Sequence, residues 1–331
     1  PGWTPPPFYT TTPTPSFATY TPTPPFATYT PTSIPGAGDL VSVDPIVGSM
    51  RFVPNTDPDG FDQGAPAWEP CVKEFDYPGF THVLTRSMAV METEVTRGMW
   101  ADLQQVQPSL PPDTSYPDIS PTMDHPLQHV SWYQALLFAN LLSIQNGLQP
   151  CYYVDSGFTT VLDVTNYEDG PYYCYFNADG YRLPREGEWE YFCRAGTTTP
   201  FSCPEPNYTT GTCDEPTCVY GEFQVLEQYA VFCANSGTPA KPDIAGSRLP
   251  NPWNLKDVHG SMFEWCWDWW SDSYPTHTES NYSYRGTDRN RVIRGGAYQG
   301  SATFIRSAYR GWYPNTSMHP ALGFRLVRTL N

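Results

Sequence analysis

Asn251–Trp270 reads NPWNLKDVHGSMFEWCWDWW. Six of its residues are Trp or Phe: Trp253, Phe263, Trp265, Trp267, Trp269 and Trp270. Each such ring buries on the order of 150–250 Å², so the stretch belongs at the centre of a core. Phe263, Trp265, Trp267 and Trp269 alternate with period two, which predicts a strand with one aromatic face. Just before it stands Asp257-x-x-Gly260-x-Met262-x-Glu264. Two carboxylates separated by a Gly turn, with carbonyls between them, are hard-oxygen donors of the kind calcium takes.

Working outward, other stretches carry a family resemblance. GSMFEWCWDWW resembles the signature of the formylglycine-generating enzyme (sulfatase-modifying factor) family. In order along the chain it is joined by Glu92–Thr96, His125-Pro126 with His129–Trp132, Gly180–Tyr191, Arg294-Gly295-Gly296, Arg306–Arg310 and Gly323–Arg328. The resemblance implies a single α+β domain with the C-type-lectin-like fold. Such a domain has long loops, a few short helices and small twisted sheets. It is expected over residues 39–331, after an extended Pro/Thr-rich tail over 1–38. The fold hosts enzymes and non-enzymes alike.

Composition narrows the function classes. Asp plus Glu number 34 against 18 Lys plus Arg, a net charge of −16. Nucleic acid and anionic membranes need basic surface, so neither is an expected partner. No apolar run is long enough for a transmembrane helix, so membrane insertion is not expected either. Few charges, abundant Pro and Tyr and nine Cys suit an extracellular or cell-surface protein. An odd cysteine count leaves at least one thiol unpaired within the chain.

The tail carries no charge before Asp39, and Phe17-Ala18-Thr19-Tyr20-Thr21-Pro22-Thr23 recurs as Phe26-Ala27-Thr28-Tyr29-Thr30-Pro31-Thr32. Proline at this density favours extended polyproline II. The recurring rings are candidate anchors, so the tail is expected to mediate self-association, docking on its own domain or a neighbouring subunit's. Head-to-tail docking would build an open filament. Gly36–Gly38 reads as a hinge.

Met50–Val53 reads as the strand that opens the domain. A helix is expected over Val95–Val106, capped by Thr96, with Met99, Trp100, Leu103 and Val106 on one face. A second runs from a Ser131 cap to about Gln145, striped by Ala135, Leu136, Ala139 and Leu142 and ended by Gly147. A third covers Arg185–Arg194 and stops at Gly196. Cys151–Asn177 reads as a β excursion whose bracketing Cys151 and Cys174 are a candidate disulfide. Thr197–Cys233 is an irregular insertion with further cysteines. Strands return from Arg291.

The resemblance also sets out the chemistry to look for. Oxidising members of the family carry two copper-binding thiols a few residues past RGG. Here that stretch, Gly296–Arg306, has no Cys, nor does any position after Cys266. Thiolates have no oxygen substitute for a soft metal, so copper is not expected. Sulfur–nitrogen bond-forming relatives use a His-rich iron site. His125 and His129 have i, i+4 spacing, but Pro126 intervenes and both read as loop residues. Calcium is the expected cofactor. Carried over by resemblance, its ligands are Asp257, the carbonyls of Gly260 and Met262, and Glu264. The alternative for Glu264 is a pair with a buried Arg such as Arg294 or Arg325. Arg294, Arg306, Arg310 and Arg325 read as structural, as do Trp189 and Glu190.

The last candidate is the loop surface Tyr298–His319, which faces ligand in this fold. It offers Tyr298, Gln299, Phe304, Tyr309, Trp312, Tyr313, Met318 and His319, aromatic and nearly uncharged like a recognition face. Retroelement-diversified variable proteins share the fold and bind there. Asn207, Asn281 and Asn315 stand in glycosylation sequons. The expectation is a non-enzymatic protein whose domain serves binding or assembly of a protein or glycan ligand. The alternatives are a copper oxidase of sulfatase cysteines and a diversified ligand-binding protein.

Overall fold

The computed structural model describes residues 35–69, 71–168, 170–204 and 224–330. The tail repeat, the Asn207 sequon, Cys213 and Cys218 lie outside the described residues.

The organising strand forms as its alternation predicts. β9 (Phe263–Trp269) is central in a four-stranded sheet of order β12-β11-β9-β13, with β11 (Asn290–Arg294), β12 (Gly311–Pro314) and β13 (Leu322–Gly323). Both faces of β9 are buried. Trp265, Trp267 and Trp269 enter the main core, whereas Cys266 packs with Trp189, Phe192 and Val292 in a second cluster. Two fully buried indoles in this region place their N–H on backbone carbonyls. Trp265 Nε1 donates to Val130 O and Trp132 Nε1 to Cys266 O, both at 2.9 Å. A buried indole without a partner would cost about 1–3 kcal/mol. Arg291 lies between the rings of Trp132 and Trp269, its guanidinium carbon 3.7 and 3.2 Å from their centroids.

A five-stranded antiparallel sheet has the order β1-β2-β5-β14-β8. Its strands are β1 (Leu40–Asp44), β2 (Gly48–Val53), β5 (Met88–Met91), β14 (Val327–Thr329) and β8 (Tyr181–Arg182). The strand expected at Met50–Val53 is present but does not come first. β1 precedes it, paired antiparallel. The expected hinge is not free: Gly38 N–H donates to Phe52 O at 2.8 Å, and Asn254 Nδ2 donates to Gly38 O at 3.1 Å. A smaller sheet has the order β10-β4-β3: β3 (Phe61–Gln63), β4 (Phe80–Val83) and β10 (Glu279–Ser280).

α1 (Arg97–Val106) starts at a Thr96 cap, whose hydroxyl accepts from Met99 N at 3.1 Å. Val106, expected on its buried face, is exposed. α2 (Trp132–Gln145) is capped by Ser131, and its expected stripe of Ala135, Leu136, Ala139 and Leu142 is buried but is only part of the buried surface. Trp132 and every residue from Ala135 to Ser143 are buried, because sheet and loops surround the helix. α3 (Glu186–Arg194) ends through Ala195 and Gly196, both left-handed. α4 (Leu226–Tyr229) is a single turn. The β excursion after Cys151 is mostly loop, with one short pair, β6 (Tyr152–Tyr153) and β7 (Tyr173–Cys174). Its bracketing Cys151 and Cys174 are free thiols rather than the expected disulfide. Cys71 and Cys233 are the disulfide-bonded cysteines among the described residues.

Candidate functional site

β9 carries Glu264 into a cluster of buried charge. Its carboxylate accepts from Arg325 Nε at 2.8 and 2.9 Å and from Trp189 Nε1 at 2.8 Å. Arg325 comes from the turn between β13 and β14. It also donates to the carbonyls of Met91, Glu92 and Lys256. Of the two pairings considered for Glu264, the one with Arg325 forms. Arg294 instead pairs with Glu190.

Two more carboxyls stand close by. Glu94, fully buried, accepts from Met262 N and Ser261 Oγ, both at 2.9 Å. Burial, with the negative charge of Asp257 and Glu264, pushes its carboxyl well above the usual range. Asp257, left-handed at φ 57°, accepts from Gly246 N at 2.6 Å. Burial raises its carboxyl to about 6, against the opposing pull of that N–H and of Arg325. Three carboxyls therefore share one guanidinium. Glu94 stands in the Glu92–Thr96 stretch that carries the family resemblance, but its sequence gives no sign that it meets Glu264, well over a hundred positions further on.

The turn before β9 is equally tight. Gly260 sits at φ 77°, and its N–H donates to Gly295 O at 2.8 Å. A Cβ there would stand 2.0 Å from Val231 O. The excess of carboxyl over guanidinium suits a cation, and Asp257, Gly260, Met262 and Glu264 all lie on this one turn and strand start. The lone pairs of Glu264, however, are taken by Arg325 and Trp189. Calcium would need Arg325 to release it.

The remaining arginines form a frame, as expected. Arg306 pairs with Glu69 and, at 2.8 Å, with Asp76. Arg310 grips Glu186 at 2.5 and 2.9 Å. Glu190 bridges Arg194 and Arg294. Trp189 and Glu190 are core residues.

The Tyr298–His319 loops are less open than their sequence suggests. Tyr298 is 3% exposed, packed with Val231, Met262, Ala297 and Ala321. Tyr309 is half-buried against Phe304 and Phe75. Tyr313 stacks on His319 with centroids 5.4 Å apart. Gln299, Phe304 (36%) and Trp312 (46%) remain exposed. Trp312 projects from β12, an edge strand of its sheet. Rings that alternate with small residues look alike in sequence whether they face in or out.

His125 bonds Thr122 Oγ1 at 2.8 Å, and His129 bonds Tyr116 OH at 3.1 Å from a left-handed loop position. Both are loop residues, as read. The free thiols fare no better as metal ligands. Burial pushes Cys193 up to about 12 and holds Cys266 well above the usual thiol range. Among the described residues, no three His, Cys, Asp or Glu side chains converge as a metal-ligand group. Of the sequons, Asn315 is buried with its amide on Tyr133 OH, and Asn281 spends its amide on Thr85.

Four small sheets, a few short helices and a buried arginine frame around a tryptophan strand define a loop-rich α+β domain. Residues 62–330 match the model of the sulfatase-modifying factor enzyme 1-like domain, and the chain belongs to that family. It is 27% identical over 246 residues to the chaperone protein LppX of Paenibacillus barcinonensis, covering 71% of this chain and 78% of that protein. It is 26% identical over 218 residues to the formylglycine-generating enzyme of Streptomyces coelicolor, covering 65% of this chain and 56% of the enzyme. The chain thus spans little more than half of that enzyme's length. Among solved structures it is similar to Treponema denticola variable protein 1, with TM-score 0.66 and 26% identity over 85% of this chain and 95% of that one.

Proposed function

We propose that this is a binding or assembly protein that uses a sulfatase-modifying-factor domain without its thiol chemistry. One observation carries the reading. In Gly296–Arg306, where oxidising relatives would place two thiols, the chain has no sulfur, and the most conspicuous side chain there, Tyr298, is packed into the core. The exposed Phe304 and Trp312, with Gln299, are the side chains left to meet a ligand. Similarity to a protein named a chaperone and to a variable protein supports a role in recognition.

The test is an array of glycans and peptides probed with the full chain and with Trp312→Ala and Phe304→Ala. Both rings are exposed, so the variants should melt with the parent. A ligand bound by the parent and lost by at least one variant supports the reading. No bound ligand, or equal binding by all three proteins, contradicts it.

Calcium at Asp257, Gly260, Met262 and Glu264 is part of the same proposal, as a structural ion. It would offset the surplus carboxyl charge and stabilise the turn before β9. Ligand linkage stabilises by RT ln(1 + [L]/Kd), about 2.7 kcal/mol at a hundredfold excess over Kd. Excess chelator should therefore lower the melting temperature by several degrees, and added calcium should restore it. An unchanged melting curve removes the site and leaves Arg325 as the shared counter-charge.

A further inference from the structure

The β3–β4 hairpin packs against α3, and an open groove of about 700 Å³ runs between them. Its walls are rings: Phe61, Phe80 and Tyr191 from the packed elements, Trp68 and Tyr77 from the loop joining the two strands. Phe61 and Tyr191 hold each other at a centroid distance of 4.9 Å. Trp68 and Tyr77 are 63% and 46% exposed, and Trp68 is the most exposed aromatic ring among the described residues. The charged lining residues are Asp62 and Arg194, and Arg194 is spent on Glu190 and the carbonyl of Gly64. Aromatic walls with little free charge suit an uncharged, extended peptide. Polyproline II segments have no internal hydrogen bonds and dock in grooves of this kind.

The same chain carries a sequence of matching composition. Residues 1–34 hold no charge, are rich in proline and repeat the Phe-Ala-Thr-Tyr-Thr-Pro-Thr unit. The point where they join the domain is close to the groove. Gly38 lies so near the backbone of Trp253 that a Cβ would stand 2.8 Å from it. The Trp253 ring meets Tyr191 edge-on at 4.9 Å, and Tyr191 is a groove wall. In polyproline II the tail would span on the order of 100 Å, so reach is no obstacle. A tethered segment also competes at millimolar effective concentration against tails of other copies.

We propose that the Pro/Thr tail is an intramolecular strap, with its Phe and Tyr repeat seated among Trp68, Tyr77 and Phe61 of its own domain. The inference stands apart from any ligand of the Phe304 and Trp312 face.

The test uses the full chain with Phe26→p-benzoylphenylalanine, illuminated as an equal mixture of isotopically light and heavy protein. Crosslinked peptides are mapped by mass spectrometry. The strap predicts crosslinks to the Phe61–Thr81 and Tyr191–Thr198 peptides, confined to light–light and heavy–heavy pairs. Trp68→Ala should cut their yield roughly tenfold, the loss typical of one aromatic anchor. Thr198→Trp, which fills the groove without removing a ring, should do the same. Neither exposed position supports the core, and a melting curve checks each variant. Light–heavy pairs, crosslinks elsewhere or none, or yields unmoved by either variant would overturn the proposal.

Discussion

Arg325→Met should destabilise the domain by about 3–5 kcal/mol at pH 7 in calcium-free buffer, the usual cost of removing one partner of a buried ion pair. The guanidinium is the shared counter-charge of Glu94, Asp257 and Glu264, and it ties together the carbonyls of Met91, Glu92 and Lys256. Methionine fills similar space but leaves three carboxyls facing one another. The loss should depend on pH. Glu94 and Asp257 already have raised folded-state values, about 6 for Asp257, against about 3.9 for an unfolded Asp. A carboxyl raised on folding binds more protons in the native state than in the unfolded chain between those values. Its cost is therefore fully present above the folded value and relieved as pH falls through it. Removing Arg325 raises these groups further, so the gap between variant and parent should be widest near pH 8 and narrow towards pH 5. Urea melts at three pH values measure this. A gap that is flat or widens on acidification would show that Arg325 acts by packing alone. If calcium binds this turn, it should recover part of the loss, since the variant frees the Glu264 lone pairs.

Gly260→Ala should be the second severe change, costing about 3 kcal/mol or more. Two terms add. A left-handed backbone costs a residue with a Cβ about 1–2 kcal/mol, and Gly260 has φ 77°. Forcing an atom into a packed contact costs about 1–3 kcal/mol, and this Cβ would fall 2.0 Å from the carbonyl of Val231. That obstacle is backbone, held by Ser261 N–H donating to Val231 O at 2.8 Å, so it cannot swing aside as a side chain would. Gly48→Ala is the internal control. It is also left-handed, at φ 73°, but nothing stands within 4 Å of its Cβ, so it should cost only the conformational term. Equal losses in the two variants would mean that the Val231 contact carries no weight.

Local pattern made much of the fold legible. The alternation from Phe263 to Trp269 announced β9, and Thr96 and Ser131 announced the starts of α1 and α2, because caps and periodicity are short-range physics. The stripe expected on α2 is buried but is only part of the buried surface. Ala135–Ser143 is enclosed on all sides, so apolar residues picked at helical spacing are a subset of what that segment buries. Partnership over long range was not legible. That Arg325 would take Glu264 while Arg294 took Glu190 depends on strand register in space, and both pairings were open from sequence. Glu94 was seen as part of the Glu92–Thr96 stretch but not as a site residue, because an acid between threonine and valine carries no local mark of burial. Tyr298 was read with the exposed rings because nothing local separates it from Trp312. What differs is the strand each follows: Tyr298 comes just after the central β11, Trp312 lies on the edge strand β12. The groove beside α3 was invisible, since its walls come from three separated segments.

We propose that this domain does no copper–thiol chemistry at Gly296–Arg306, a stretch without Cys. The most direct measurement incubates the full chain with copper, oxygen and a cysteine-bearing sulfatase peptide, and follows the peptide aldehyde by mass spectrometry. An active formylglycine-generating enzyme serves as positive control. No aldehyde above the copper-only background is expected at any protein concentration. Aldehyde that accumulates with turnover, in proportion to the protein, would contradict the proposal.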